Sequence, residues 1–193
     1  MANKFYNQTT PQIGTTTVTQ IYSGSRLDNT DDVGIVIGML FTNTGSTDTK
    51  VSAYLTQAEQ AVTASSDSGL KFTAGSAHGF SANDMVIFTG TLPGNISANT
   101  IYHVISGNLT ATVFYVATAS GGSAVTHDGS NSGSSVKVHR IIPYLNEVTL
   151  PTGTALEFCR GNKLVVQEGE SINAVRTGGN SASSLLNILE ITS

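Results

Sequence analysis

The sequence has little charge and few of the residues on which active sites and covalent frameworks usually depend. It contains no tryptophan and one cysteine, and Asp, Glu, Lys and Arg together make up 11% of its 193 residues, against about 25% in typical soluble proteins. Cys159 has no second cysteine to pair with, so an internal disulfide framework is excluded. The chain is nevertheless rich in β-branched residues, which predicts a folded protein rather than a disordered one.

Nucleic-acid binding and membrane insertion are disfavoured as well. The nine Lys and Arg residues are scattered and the net charge is −4, whereas electrostatic binding to nucleic acid depends on clustered basic residues. The longest apolar run, residues 35–41, falls short of the about 18 residues that a membrane span needs. Residues 1–8 contain no apolar segment of the kind found in secretory signals. We therefore expect the protein to start near Met1 and to be made in a cytoplasm.

The abundant residues indicate an all-β fold. Ser and Thr account for 48 residues, Asn for 14 and Gly for 20, and β-branched stretches alternate with turn residues at about the 8–12-residue spacing of sandwiches and barrels. In the strand predicted over 33–41, Val36 and Leu40 lie on one face. The opposite face carries a second apolar set, which is Val33, Ile35, Ile37, Met39 and Phe41. Two apolar faces predict a strand that is covered on both sides.

The strand pattern has two halves that flank a stretch of different composition. About eight strands are predicted in about 112 residues, over 15–22, 33–41, 51–55, 146–150, 155–159, 163–167, 171–176 and 184–191. This is the size of a β-sandwich or jelly-roll domain. We assign it to residues 1–58 and 140–193, with 1–14 as an extended N-terminal arm.

Residues 59–139 are rich in Gly and Ser, with short predicted strands at 70–74, 84–89, 100–105, 112–117 and 135–139. This texture predicts a second, small β-barrel or sandwich domain inserted into the first, because insertions are tolerated at exposed tips. The alternative is one continuous large sheet.

Residues 77–125 carry a recognisable pattern. The chain places a His-Gly-Phe step, an Asn-Asp step before a strand, a Leu-Pro turn, a Tyr-x-Val strand and a late Gly-Gly-x-Ala-Val, at His78-Gly79-Phe80, Asn83-Asp84, Leu92-Pro93, Tyr102-His103-Val104 and Gly121-Gly122-Ser123-Ala124-Val125. This resembles a small β module that recurs in capsid-associated and tail proteins of tailed bacteriophages. The family pattern has Gly where this chain has Asn83, and Asn is able to adopt the same left-handed backbone geometry.

The flanking halves carry a second resemblance, to a family of small β-sandwich proteins of phage virions. Its segments here are 17–22, 41–46, 148–153 and 164–172. Together the two resemblances imply a structural protein of a bacteriophage virion, assembled in the host cytoplasm. They imply as partners the major capsid protein or neck and tail proteins, and further copies of the chain as a trimer or ring.

Catalytic and metal-binding patterns are missing from the sequence. The four histidines fall at 78, 103, 127 and 139 without metal-ligand spacing, and His78 before Gly79 is interpreted as a turn residue whose imidazole bonds to backbone. Cys159 ends an apolar strand and is interpreted as a small buried residue rather than a nucleophile. The acidic cluster at 28–32 lacks the EF-hand pattern and is interpreted as a solvated turn, with a calcium site as the alternative. We therefore expect no enzymatic activity, cofactor or metal.

The predicted function is capsid decoration or cementing. The alternatives are a neck or tail component, such as a collar, adaptor or fibre-base protein, and a carbohydrate-binding host-recognition module that would use Tyr6, Tyr22 or Tyr144. Interfaces are poor in Lys and Glu, as this chain is. The residues predicted at an interface are Phe5, Tyr6, Pro11, Ile13, Val36 and Leu40.

Overall fold

The computed structural model describes residues 2–24, 27, 32–66, 69–128, 135–159 and 161–192. The described chain is built from antiparallel strands in two sheets, which confirms the predicted all-β class. It divides into two compact units, one made of residues 1–58 and 142–193 and the other of residues 59–141.

The first unit contains a five-stranded sheet in the order β1-β15-β3-β12, with β13 also paired to β3. Its strands are β1 (Ala2–Thr10), β3 (Val33–Thr42), β12 (Ala155–Phe158), β13 (Leu164–Val166) and β15 (Ser183–Thr192). The facing layer contains β2 (Thr19–Ser23), β4 (Thr49–Thr56), β14 (Ser171–Thr177) and residues 142–150 of β11 (Ser135–Leu150). Buried side chains from both layers form one core, as expected of a β-sandwich.

The second unit is a smaller set of antiparallel strands around its own core. Its strands are β5 (Gln60–Ser66), β6 (Leu70–Ala74), β7 (Met85–Thr91), β8 (Tyr102–Val104), β9 (Val113–Phe114), β10 (Val116–Ala117) and residues 135–141 of β11. Phe72 lies at the centre of this core, with its ring stacked on Phe88 at 4.6 Å and on Phe114 at 5.3 Å between centroids. The predicted left-handed conformation of Asn83 is confirmed, with φ of 69°.

The expectation that residues 1–14 form an extended arm separate from the sheets of their own chain is wrong. Residues 2–10 form β1 and pair with β15 of the same chain through nine consecutive residues, from Ala2 opposite Thr192 to Thr10 opposite Ser184. Ile13 follows as a fully buried residue whose N–H donates to the carbonyl of Ala182 at 2.8 Å. The segment was misjudged because its own sequence is polar, whereas its conformation is set by a partner strand distant in the sequence.

The predicted faces of β3 are also wrong beyond its midpoint. Residue 38 lies opposite Asn187, but Ile188 lies opposite Val36, so Ile37 is an extra residue in the ladder. A bulge of this kind reverses the alternation of faces along a strand. The buried side of β3 therefore carries Val36, Met39 and Phe41, rather than the set at odd-numbered positions.

Candidate interaction surface

The five-stranded sheet turns one face toward the core of the first unit and the other away from it. On β1, the Tyr6 hydroxyl donates to Oε1 of the buried Glu190 at 2.5 Å, so Tyr6 points inward. Because side chains alternate along a strand, Phe5 and Asn7 point the other way. We call this second side of the sheet the outer face.

The strand register aligns four apolar residues in one row across the outer face. Phe5 lies opposite Leu189, Leu189 opposite Ile35, and Ile35 opposite Val165. Phe5 is 68% exposed and Val165 is 48% exposed, while Leu189 and Ile35 are half-buried. The exposed face of an antiparallel sheet is normally polar, so this row is a departure that calls for a partner.

The other rows of the outer face are mixed. On one side of the apolar row lie Asn3, Ile191 and Val33, and on its other side lie Asn7, Asn187 and Gly38, followed by a row of Thr9, Leu185, Leu40 and Glu157. Strands β1, β15 and β3, with nine or ten residues each, and the shorter β12 and β13 cover about 500 Å² in all, more than half of the about 800 Å² that each partner contributes to a standard interface. An exposed apolar row on a face of this size is a feature of protein-binding sites.

Two of the residues predicted at an interface lie on the outer face, namely Phe5 and Leu40. Pro11 is exposed just after β1 ends. Nothing in the structure places Pro11 in the apolar row.

The prediction of Ile13 and Val36 as interface residues is wrong. Both side chains are completely enclosed in the core of the first unit, because Ile13 is drawn in beside β15 and the bulge at Ile37 turns Val36 inward. Tyr6 is half-buried and engaged with Glu190. These three residues serve the fold of their own chain.

Sequence reasoning missed Leu189, Ile35 and Val165 as surface residues. A signal for Leu189 was present, because residues 185–191 are apolar at both odd and even positions, which indicates a strand with two apolar faces. A shorter signal of the same kind marks Val165, since its neighbours in the three-residue strand β13 are also apolar.

In the second unit, side-chain contacts hold together part of the 77–125 segment that resembles the phage module. The predicted interpretation of His78 is confirmed, because its Nδ1 accepts a hydrogen bond from the Phe80 N–H at 2.9 Å. Arg140 donates to the Gly79 carbonyl and to the Asp84 carboxylate, and its guanidinium lies 5.3 Å from the Phe80 ring centroid. These contacts close a turn and pack an aromatic ring.

Residue types that bind metals are not clustered in the part of the chain that the structure describes. Among the described residues, no three His, Cys, Asp or Glu side chains come together as a metal site would require. Burial raises the pKa of the Cys159 thiol from 9.0 to about 11, which keeps the thiol protonated and unreactive at neutral pH. The predicted interpretation of Cys159 as a buried residue is confirmed. Residues 28–31 of the acidic cluster lie outside the described residues.

A polar cleft beside β1 is the place where a carbohydrate would find hydrogen-bonding groups. It has a volume of about 440 Å³ and is lined by Tyr6, Asn7, Gln8, Thr9, Gln20 and Ser23. Of the three tyrosines considered for this role, Tyr22 is fully buried, and Tyr6 and Tyr144 are half-buried. An open aromatic platform for sugar stacking is therefore not provided by Tyr22.

We expect the folded state to lose stability above pH 10. Burial, followed by the Glu190 charge and Tyr6, raises the pKa of Tyr22, and burial also raises the pKa of Tyr54 and of Tyr144. Their hydroxyls ionise in the unfolded chain near the ordinary pKa of 10.0 but stay protonated in the fold, so the stability present below pH 10 falls as pH rises further. Ionisation of Cys159 in the unfolded chain also lowers the stability of the fold as pH rises, beginning near the ordinary pKa of 9.0.

Urea denaturation at a series of pH values from 7 to 11 measures this loss. Replacing Tyr22 by Phe removes one ionising group and should flatten the decline above pH 10. If the stability of the Tyr22→Phe variant fell as steeply above pH 10 as that of wild type, Tyr22 would not contribute to the decline.

Within the described part of the chain, no helix is long and apolar enough to cross a membrane. Compared with known proteins, the chain matches no family model, no curated protein and no solved structure.

Proposed function

We propose that the chain is a non-enzymatic structural protein of a bacteriophage virion that decorates or cements the capsid. The observation that carries this proposal is the outer face, which is crossed by the exposed apolar row from Phe5 to Val165. A protein that must hold to a large particle needs such a surface, and needs no catalytic cluster.

The proposed occupant of the outer face is the major capsid protein. Three considerations support this partner. The face has more than half the area of one side of a standard interface, and its aligned rows carry a single charged residue, Glu157. Surfaces depleted in charge at their centre are typical of protein partners rather than of nucleic acid. The resemblance of residues 77–125 to a module of phage structural proteins supports a phage capsid as the particle.

Binding of purified protein to capsids that lack it tests this proposal. Val165→Asp places a charge in the apolar row on an exposed residue of a short strand, and we expect capsid binding to weaken at least about tenfold, since a buried unpaired charge costs more than about 1.4 kcal/mol. Ile142→Asp is the matched control, because Ile142 is 37% exposed and lies outside the outer-face rows. Equal binding by the two variants would overturn the proposal.

Removal of residues 1–14 is not a suitable test, because the deletion takes away a strand of the first unit and the buried Ile13. A surface substitution leaves the fold intact and reports on docking alone.

Copy number distinguishes the proposed capsid role from a neck or tail role. A decoration protein occupies most capsid positions and is present in hundreds of copies, whereas a neck component follows a ring symmetry of roughly a dozen. Quantifying the protein against the major capsid protein in purified virions separates the two.

The polar cleft beside β1 supports a second candidate, a carbohydrate-binding host-recognition module. Its amide and hydroxyl side chains suit sugar hydroxyl groups. Binding to a glycan array that is abolished by Gln8→Ala with Gln20→Ala, two residues that line the cleft, would favour this candidate over capsid decoration.

A further inference from the structure

Strand β1 is a long and regular edge of the five-stranded sheet. It lies at the end of the strand order, and its nine residues pair with β15 without a register shift. Within the described residues no strand pairs with its other side. Alternate N–H and C=O groups along such an edge point away from the paired neighbour and are available to another strand.

The other described edges are protected in ways that β1 is not. Strand β12 has four residues and β13 has three, while β9 and β10 have two each. Strand β2 carries a bulge, because Ile172 lies opposite Tyr22 but Asn173 lies opposite Gln20. Short edges and bulges prevent strands of different molecules from pairing. In β1 there is no bulge and no proline, and Pro11 comes only after the strand ends.

Phe5, which is part of the apolar row on the outer face, also lies on this open edge strand. It lies near the middle of β1 and is 68% exposed, more than the other exposed large apolar residues of the described chain. A ring of this size in solvent, on a strand with an open edge, indicates a surface that is covered in the assembled state.

We propose that β1 pairs antiparallel with β1 of a second copy, joining two five-stranded sheets across a two-fold axis. Opposite residues in an antiparallel pair share a face of the sheet. With the two-fold axis at Tyr6, residue 2 of one copy lies opposite residue 10 of the other, residue 3 opposite residue 9, and so on. All nine residues of β1 are then paired, and the outer faces of the two copies form one continuous surface.

This register is favourable for its charge and its apolar contacts. The strand has one charged side chain, Lys4, which lies opposite Gln8 of the second copy rather than opposite another lysine. Phe5 lies opposite Asn7 of the second copy, and the two Phe5 rings become diagonal neighbours at about 7–8 Å, within reach of aromatic side chains. The pairing does not depend on the virion assignment.

Charge substitutions at Gln8 test the pairing in the purified full chain. Gln8→Lys places a lysine opposite Lys4 of the second copy at two symmetric points, and Gln8→Glu places a carboxylate there. We expect sedimentation equilibrium to show a wild-type dimer of twice 20.0 kDa, with the dimer dissociation constant raised about tenfold by Gln8→Lys and lowered by Gln8→Glu. Lys4→Glu combined with Gln8→Lys restores the opposite-charge pairs and should restore the dimer.

Disulfide trapping tests which residues of the two β1 strands lie opposite each other. Mixed Phe5→Cys and Asn7→Cys chains should form a cross-linked heterodimer on mild oxidation, because opposite Cα atoms lie within the about 7 Å that a disulfide requires. Asn7→Cys mixed with Val165→Cys is the control and should not cross-link, and the buried Cys159 is not expected to react. A wild-type chain that remains monomeric at every concentration, equal effects of Gln8→Lys and Gln8→Glu, or equal cross-linking in both mixtures would overturn the proposal.

Discussion

Replacing Phe72 by Ala is expected to lower the free energy of unfolding of the second unit by about 3–5 kcal/mol, as for other fully buried aromatic residues. The Phe72 side chain is completely buried and its ring stacks on both Phe88 and Phe114. Truncation therefore leaves a cavity at the centre of a small core and removes two ring pairs, each of which contributes about 0.5–1.5 kcal/mol beyond the buried area.

Native-state hydrogen exchange is the appropriate measurement, because a chain with two units need not unfold in a single step. Peptides from β6 and β7 should lose protection in the Phe72→Ala variant. The control is Phe5→Ala, which removes the same side chain from an exposed position and should change stability by less than about 0.5 kcal/mol. Similar losses of protection in the two variants would show that the stacked rings are not the centre of this core.

The flanking strands were predictable because local chemistry and tertiary environment agree there. Residues 51–55, and residues 171–176 as far as Ala174, alternate between apolar and polar side chains and are bounded by turn residues, and the structure places strands over 49–56 and 171–177. A pattern with a period of two residues needs no knowledge of the partner strand to be recognised.

Strand β1 and the bulge in β3 were not predictable in this way. The sequence of β1 is polar and without alternation, and it forms a strand because β15 offers nine pairing positions and Glu190 accepts the Tyr6 hydroxyl. The bulge at Ile37 depends on where β15 is aligned against β3. Both features result from pairing between residues far apart in sequence, which a local pattern does not contain.

The candidate surface was predicted in part for the same reason. Phe5 is predicted at an interface as part of the N-terminal arm and Leu40 as part of a strand with two apolar faces, and both lie on the outer face. The row itself depends on the register of four strands, so its other members were identified only once those pairings were known. Errors at Ile13 and Val36 follow from the same missing information.

Replacing Arg176 by Met is expected to lower the free energy of unfolding by at least about 3 kcal/mol, since three carbonyl groups lose a donor and each unsatisfied buried acceptor costs about 1–3 kcal/mol. The Arg176 side chain is 7% exposed. Its Nε donates to the Ile13 carbonyl at 2.9 Å, and its Nη1 donates to the carbonyls of Gly178 and Gly179 at 3.0 and 2.8 Å. Methionine fills similar space but leaves these carbonyls without a donor.

Two controls separate the geometry of the guanidinium group from its charge. Arg176→Lys retains the charge but not the planar set of donors. In urea denaturation its free energy of unfolding should therefore lie between that of wild type and that of Arg176→Met. Lys50→Met removes a cation from an exposed ion pair with Glu147 and should cost less than about 1 kcal/mol. If Arg176→Lys were as stable as wild type, charge alone would account for the effect.

The same variant tests what holds the segment after β1 to the first unit. Besides its side-chain bond to Ile13, Arg176 donates its backbone N–H to the Gly14 carbonyl at 2.9 Å. Hydrogen exchange over residues 11–18 should therefore accelerate in Arg176→Met before global unfolding, because local opening follows the loss of local hydrogen bonds. Unchanged exchange there would mean that burial of Ile13 alone retains the segment. Accelerated exchange would mean that one arginine on β14 allows a polar N-terminal sequence to become an ordered part of the sandwich.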